Sequence, residues 1–241
     1  MEGICNYDYK FKTATYDIGS SRKMRLSSIL KHQEQAGEIH LSEDFGLDYV
    51  TICENGIVFV LVNSAVKIHR IPTINEKITI NTYNKQLKGL KFYRGYDWYD
   101  ENGEKIVEGV SAFVLVDINS HKMVKPSAFP VELPEEITRE NSIGLPGKTH
   151  IPKETELVGS KKVLFSMLDS NEHLNNTLYA DFLADFVPIE VAQNVKGFTI
   201  DYVKEAKLGD KIEVYSAVEN KKIYLQGKCG EDCCFRASIE F

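Results

Sequence analysis

The residues best equipped for chemistry lie in one stretch, Phe165 to Val187, reading FSMLDSNEHLNNTLYADFLADFV. Asp169, Asn171 and His173 recur at every second position, and Asn175 continues the spacing. In an extended backbone alternate side chains share a face, with neighbours on it roughly 6–7 Å apart. A carboxylate, an amide and an imidazole on one side of a short segment form a set suited to acid–base chemistry. The period then changes. Leu178, Tyr179, Phe182, Leu183, Phe186 and Val187 recur three and four apart, the pattern of an amphipathic helix. Asn175 or Asn176 is expected to cap its start and Pro188 to mark its end. Unpaired N–H groups at that N-terminus would receive a developing oxyanion. The same spacing is also met by a cap-and-turn segment with a structural histidine.

These residues carry a resemblance. D-x-N-x-H-x-N-N-x-x-Y, formed by Asp169, Asn171, His173, Asn175, Asn176 and Tyr179, resembles the signature of plant and bacterial acyl-ACP thioesterases. The lead-in Ser166 and Leu168 fits as well. Phe182 stands where that family has Trp, and Asp185 where Glu is usual; both lie away from the polar triplet. The resemblance implies an α+β protein of two tandem hotdog folds, each a curved antiparallel sheet wrapped around a central helix. It also implies hydrolysis of the thioester of fatty acyl-acyl carrier protein, releasing free fatty acid in fatty acid biosynthesis, with no cofactor.

Composition agrees with such a protein. At 241 residues the chain is long enough for one large or two small domains with a buried core. A formal net charge of −6 argues against nucleic-acid binding driven by overall charge. No apolar run is long enough to span a bilayer, and the start, MEGICNYDYKFKT, lacks a signal-peptide core. Five cysteines without framework spacing suit a reducing cytoplasm, the expected location.

The elements that must position the triplet can be read in order. Tyr7 to Asp17 alternates as a strand, and Ser20 or Ser21 is expected to cap a helix from about Met24 to His40. Ile57 to Val62 is an unbroken apolar run, suited to a strand buried on both faces. Further strands are expected over Lys67–Tyr83, Leu90–Tyr99 and Glu108–Asp117, with a hairpin signal at Asp100-Glu101-Asn102-Gly103. Prolines punctuate Ser127 to Pro152, which reads as a connection. The first pattern then returns: a strand over Lys161–Leu168, a helix over Asn176–Val187, and strands near Gly197–Glu205, Lys211–Glu219 and Ile223–Lys228. A closing strand alternates Phe235, Ala237, Ile239 and Phe241.

That return suggests duplication. Val66 to Ile78 lays onto Ile200 to Ile212 without gaps, matching Lys77 with Lys211 and Ile78 with Ile212. The expected division is 1–130 for an N-terminal hotdog, 131–152 for the linker and 153–241 for the C-terminal hotdog carrying the site. Glu205 falls opposite Ile71, and no D-x-N-x-H precedes the first helix, so the first half is expected to supply structure and acyl pocket only. Asp201-Tyr202-Val203-Lys204-Glu205 is similar to the family's E-Y-R-R-E, whose last Glu is counted among the catalytic residues. The resemblance thus implies Asp169, Asn171, His173 and Glu205 as the catalytic set. Glu205 would deprotonate water, His173 would polarise the carbonyl or protonate sulfur, and Asp169 would hold the His173 tautomer. Sequence leaves the roles of Asp169 and Glu205 interchangeable.

Other groups read more plainly. Cys229, Cys233 and Cys234 lack C-x-x-C spacing and a histidine partner, so they read as a hairpin rather than a zinc site. Plant relatives continue the Glu205 stretch with Cys, whereas this chain has Ala206. His32, His40, His69, His121 and His150 have no companion motif. Phe92, Tyr93, Tyr96, Trp98 and Tyr99 read as sheet packing, some of them as pocket wall. Lys85, Lys88, Lys91 and Arg94 form a basic run suited to a solvated strand edge or to steering an acidic carrier protein. Hydrolysis of acyl-CoA and non-hydrolytic binding of acyl thioesters stand as alternatives, with a homodimer possible and no stable membrane association expected.

Overall fold

In the computed structural model, which describes residues 6–135, 139 and 141–241, the chain runs twice through one succession of elements. The first pass is β1 (Asn6–Lys12), α1 (Leu26–Phe45), α2 (Tyr49–Glu54), β2 (Ile57–Ile68), β3 (Lys77–Lys88), β4 (Lys91–Tyr99) and β5 (Lys105–Asp117). The second is β6 (Glu156–Lys162), α3 (Leu178–Asp185), α4 (Ile189–Ala192), β7 (Gly197–Tyr202), β8 (Lys211–Glu219), β9 (Lys222–Cys229) and β10 (Asp232–Glu240). The ten strands form one antiparallel sheet in the order β1-β3-β4-β5-β2-β7-β10-β9-β8-β6, which is symmetric about the β2–β7 seam. The fold is α+β.

Hydrogen bonds confirm the duplication residue by residue. Met24 N–H donates to Pro72 O at 2.8 Å, and Leu174 N–H to Ala206 O at 2.8 Å. Gly19 N–H donates to Lys23 O at 2.9 Å, and Asp169 N–H to His173 O at 2.8 Å. Left-handed residues recur at matching points, Arg22 with Glu172 and Asn75 with Gly209. Gly19, Ser21, Lys23 and Ile71 therefore occupy the places of Asp169, Asn171, His173 and Glu205, and the first half has no copy of the set.

Apolar periodicity explains the helices. Leu26, Ile29, Leu30, Ala36 and Leu41 bury one stripe of α1, and Gly46 ends it at φ 65°, its N–H bonding the Leu41 and Ser42 carbonyls. The N-cap is Arg25, without a side-chain cap, rather than Ser20 or Ser21. Tyr179, Ala180, Phe182 and Leu183 bury α3 in the same core, beside Trp98, Phe198 and Phe235. α3 is shorter than expected, because Phe186 leaves helical geometry and Pro188 opens α4.

Three other expectations change. Lys67–Tyr83 is not one strand: Pro72 and left-handed Asn75 break it, and Arg70 bonds Glu76 across the resulting turn. Val58 to Val62 are only half-buried, because Val58 and Phe59 border a cavity instead of a packed face. The proline-punctuated connection is no free linker. Its Phe129 is buried against Leu41, Ile52 and Leu115, its Ser142 Oγ donates to Glu108 at 2.7 Å, and its Thr149 Oγ1 donates to Asp201 at 3.1 Å. Burial raises the Glu108 pKa less than the bonds from Ser142 and His69 and the nearby Lys105 lower it, leaving it at about 2. Among the described residues, no helix is long and apolar enough to cross a membrane.

The seam is pinned by buried polar groups. Asn63 of β2 donates to Asp201 of β7 at 3.0 Å and accepts from Lys91 at 2.8 Å. Asp201 is the common acceptor for Asn63 and Thr149, so removing it strands buried donors. Asp201→Ala is expected to lower stability by roughly 1–3 kcal/mol, read as a lower urea midpoint; an unchanged midpoint would show that the seam does not depend on this carboxylate.

Candidate active site

The segment from Asp169 to Asn175 is a tight turn rather than an extended strand. Glu172 adopts φ 63°, and Asp169 and His173 face each other across the turn through Asp169 N–H to His173 O at 2.8 Å. Asp169 Oδ1 accepts the N–H groups of Asn171 at 2.8 Å and His173 at 3.2 Å. The alternating residues therefore divide. Asp169 and Asn171 border the cavity, whereas His173 turns towards the loop that follows β7. That loop is held there by Leu174 N–H to Ala206 O and by a bridge between His173 and Lys207.

This pairing brings Glu205 to His173, with Nε2 donating to Glu205 Oε2 at 3.0 Å. The imidazole is thus oriented by Glu205. Asp169 does not hold its tautomer; Asp169 shapes the main chain on which His173 sits. His173 is a quarter exposed and Glu205 well over half, so the pair is reachable from solvent.

The start of α3 is also not the open amide nest expected. Asn175 Oδ1 accepts from Thr177 N–H at 2.9 Å, Leu178 N–H bonds Asn175 O, and Tyr179 N–H bonds Asn176 O. The N-cap of α3 is Thr177, without a side-chain cap, rather than Asn175 or Asn176, and the bonds to Asn175 and Asn176 occupy these three donors. Among the described residues the Asn176 N–H has no acceptor and Asn176 borders the cavity, so one backbone donor stands there beside the side-chain donors of the wall.

The cavity measures ≈ 1080 Å³ and lies mainly in the first half. One part is walled by Leu41, Leu47, Ile52, Phe59, Phe92 and Phe129, with Val131 and Leu133 of the connection across it. Of the sheet aromatics, Phe92, Tyr93 and Tyr96 reach it, while Trp98 is core. The other part is polar, with Glu34 and Glu38 of α1, and Asp169, Asn171, Asn175 and Asn176 of the loop. Tyr49, at the start of α2, donates its hydroxyl to Asn171 Oδ1 at 3.3 Å. This contact fixes which end of the Asn171 amide is left to donate. No motif marked Glu34 or Tyr49; they belong to the half that lacks the signature, and only the folding of one half against the other reveals them.

Burial, followed by the charges of Glu38 and Asp169, pushes Glu34 up to about 7. Glu38 is raised by burial. The basic run does not form a solvated strip. Arg94 is buried, donating to His40 Nδ1 and Asn84 Oδ1, each at 2.8 Å; Lys91 is tied to Asn63, and burial lowers Lys85. Cys229 and Cys234 lie with their sulfurs 2.9 Å apart on β9 and β10, and burial raises both thiols. Cys5 lies outside the described residues.

Known proteins share this fold. The family model for the acyl-ACP thioesterase N-terminal domain matches residues 5–136, and that for the C-terminal domain matches residues 151–232. The chain is 22% identical over 232 residues to the chloroplastic acyl-(acyl-carrier-protein) hydrolase FATB1 of Cuphea viscosissima, covering 88% of this chain and 54% of that one. It is 22% identical over 227 residues to oleoyl-acyl carrier protein thioesterase 1 of Arabidopsis thaliana chloroplasts, covering 86% and 62%. It therefore spans a little over half the length of these curated relatives. The crystal structure of an acyl-ACP thioesterase from Bacteroides thetaiotaomicron superposes with a TM-score of 0.87 at 22% identity, covering 98% of this chain and 97% of that one. The 12:0-ACP thioesterase of Umbellularia californica gives 0.76 at 16% identity, covering 98% and 96%. These likenesses establish the fold as the tandem hotdog, and the two domain models, matched in order along the chain, place it in the acyl-ACP thioesterase family.

Proposed function

We propose that this chain hydrolyses the thioester of a fatty acyl group carried on acyl carrier protein, releasing the free fatty acid. The observation that carries the reading is the junction of an apolar cavity with the Asp169–Asn171 face of the turn, beside the His173–Glu205 pair. An acyl chain seated among Leu41, Phe59 and Phe92 would leave its thioester at the polar end. In this reading residues 1–130 and the connection at 131–152 hold the chain, and 153–241 carries most of the reactive groups. A cytoplasmic location and freedom from membranes belong to the same proposal.

The chemistry follows from position. Asp169 borders the cavity and takes a proton from the attacking water. Asn171, its carbonyl end engaged by Tyr49, turns its NH₂ to the thioester oxygen. His173, oriented by Glu205, protonates the departing sulfur, and Asp169 and His173 then re-equilibrate through solvent. Water plus thioester gives acid plus thiol. Glu205 is thereby moved from the water-activating role to the support of His173, the assignment that their 3.0 Å contact favours.

Release rates from acyl-ACP and acyl-CoA with the same acyl chain test the reading. Faster release from acyl-ACP is expected, and no hydrolysis of either would leave a binding protein. His173→Ala and Asp169→Asn are expected to lower turnover by about two to four powers of ten; folded variants with near wild-type rates would remove both from the reaction. Tyr49→Phe should lower kcat by roughly threefold to tenfold, the effect of one lost hydrogen bond, with little change in KM. An unchanged kcat would show that Asn171 needs no help from the first half.

A cysteine nucleophile is disfavoured by the raised thiols of Cys229 and Cys234 and by Ala206 beside Glu205. A variant with all five cysteines replaced by Ser or Ala should keep most of its activity. An acyl group trapped on any cysteine during turnover would overturn the carboxylate–water mechanism.

A further inference from the structure

A tetrahedral intermediate formed beside Asp169 needs more than one donor, and the amides of Thr177, Leu178 and Tyr179 are already bonded. The wall opposite the turn offers another group. α1 packs alongside α3, and Glu34 projects from it into the polar end of the cavity that Asp169 and Asn171 also border. Glu34 lies among many protein atoms yet is exposed to the cavity, so it is within reach of a bound molecule.

The groups around it come from four elements. Asp169, at the turn before α3, lines the same cavity and its charge acts on Glu34, and Glu38 lies one turn further along α1. Tyr96 of β4 and Tyr202 of β7 both feel its charge, and the Tyr202 hydroxyl is held by Asn176 O at 3.2 Å. Arg94 of β4 is the cation on that wall, but its guanidinium is engaged by His40, Thr82 and Asn84. The surrounding protein and two neighbouring carboxylates favour the neutral acid at Glu34. Asp169 differs in setting, because its Oδ1 accepts two backbone N–H groups. Of the two carboxyls, Glu34 is the one placed to act as the acid.

We infer that Glu34, from the half without the signature, is a catalytic residue of this site: as a carboxylic acid it donates its O–H to the carbonyl oxygen of the bound thioester. The inference rests on the hydrolytic reading above. As water adds, the new C–O bond forms, the carbonyl π pair moves onto oxygen, and the water proton passes to Asp169. The Glu34 proton stays shared with the oxyanion. When the pair returns, the C–S bond breaks, the sulfur takes its proton from His173, and Glu34 keeps its own. No net proton is consumed at Glu34.

The sign of the pH effect follows. With its pKa raised to about 7, Glu34 is a donor below that pH and loses the proton above it. The kcat/KM of the wild type should therefore fall as pH rises through about 7. Glu34→Gln replaces the acid with an amide donor that does not titrate. It should stay within about tenfold of wild type at about pH 6 and lose Glu34's share of the alkaline limb, leaving that of the imidazolium that protonates sulfur. Glu34→Ala, with no donor, should lower kcat by roughly 10²–10³. ¹³C NMR titration of the glutamate carboxyls, with the Glu34 signal assigned by its loss in Glu34→Gln, measures the protonation independently of activity.

Titration of Glu34 below about pH 5, near the ordinary carboxylate range, an unchanged alkaline limb in Glu34→Gln, or wild-type kcat in Glu34→Ala would each overturn the inference. Glu34→Gln is nearly isosteric, so a folding defect in Glu34→Ala leaves the first two tests intact. Failure of the wild type to hydrolyse any acyl thioester would instead overturn the hydrolytic reading itself, and the two failures are distinct.

Discussion

The antiparallel pairing of β2 with β7 is the constraint on which the rest depends. It joins two five-stranded half-sheets through Asn63–Lys67 and Gly197–Asp201 and so places α1 and α3 side by side on one face. Gly197 is required there, because a Cβ would lie 2.9 Å from the Val66 carbonyl oxygen. The buried Asn63–Asp201 bond sets the register: a slip by one residue would strand both groups and turn every apolar side chain to the wrong face. The cavity follows from that register, since its polar end exists only where α1 of one half meets the turn of the other.

Duplication and divergence explain the division of labour. The two halves share their loop hydrogen bonds and their left-handed turn residues, so the backbone around Gly19–Lys23 is the same device as that around Asp169–His173. Side chains separate them. Where the second half has Asp169, Asn171, His173 and Glu205, the first has Gly19, Ser21, Lys23 and Ile71. Helix length separates them too. The 20-residue α1 extends past the site and, with α2, walls the cavity, whereas the 8-residue α3 stops at Phe186. The first half nevertheless reaches the candidate site, through the Tyr49 contact to Asn171 and through Glu34, which lines the same cavity as Asp169.

Several interior polar groups are gathered into paired sets, although among the described residues the Gln33 amide and Trp98 Nε1 are buried without a hydrogen-bond partner. Arg94 is held by His40, Thr82 and Asn84, Glu108 by Ser142 and His69, and Asp201 by Asn63 and Thr149. Two of these sets fasten the connection to the sheet, one on each side of the seam. A stretch that composition marks as a linker is therefore a strap, and its Phe129, Val131 and Leu133 complete the apolar wall.

What the sequence by itself determined were the features that local rules control. Apolar periodicity located the helices, turn residues separated most strands, and the alignment of Val66–Ile78 with Ile200–Ile212 exposed the repeat and the missing first-half counterpart of Glu205. The spacing of Asp169, Asn171 and His173 marked the candidate site, although alternate spacing implied one shared face and left-handed Glu172 divides it instead. The basic run at Lys85–Arg94 looked solvated because charge says nothing of depth, and Arg94 is buried. Tertiary structure alone decided that Glu205 orients His173 and that Glu34 and Tyr49 face the turn. Each of these is a meeting of residues distant in the chain, fixed by the packing of loops and helices that strand pairing across the sheet imposes. No neighbouring residue specifies it, and so it lies beyond the reach of local pattern.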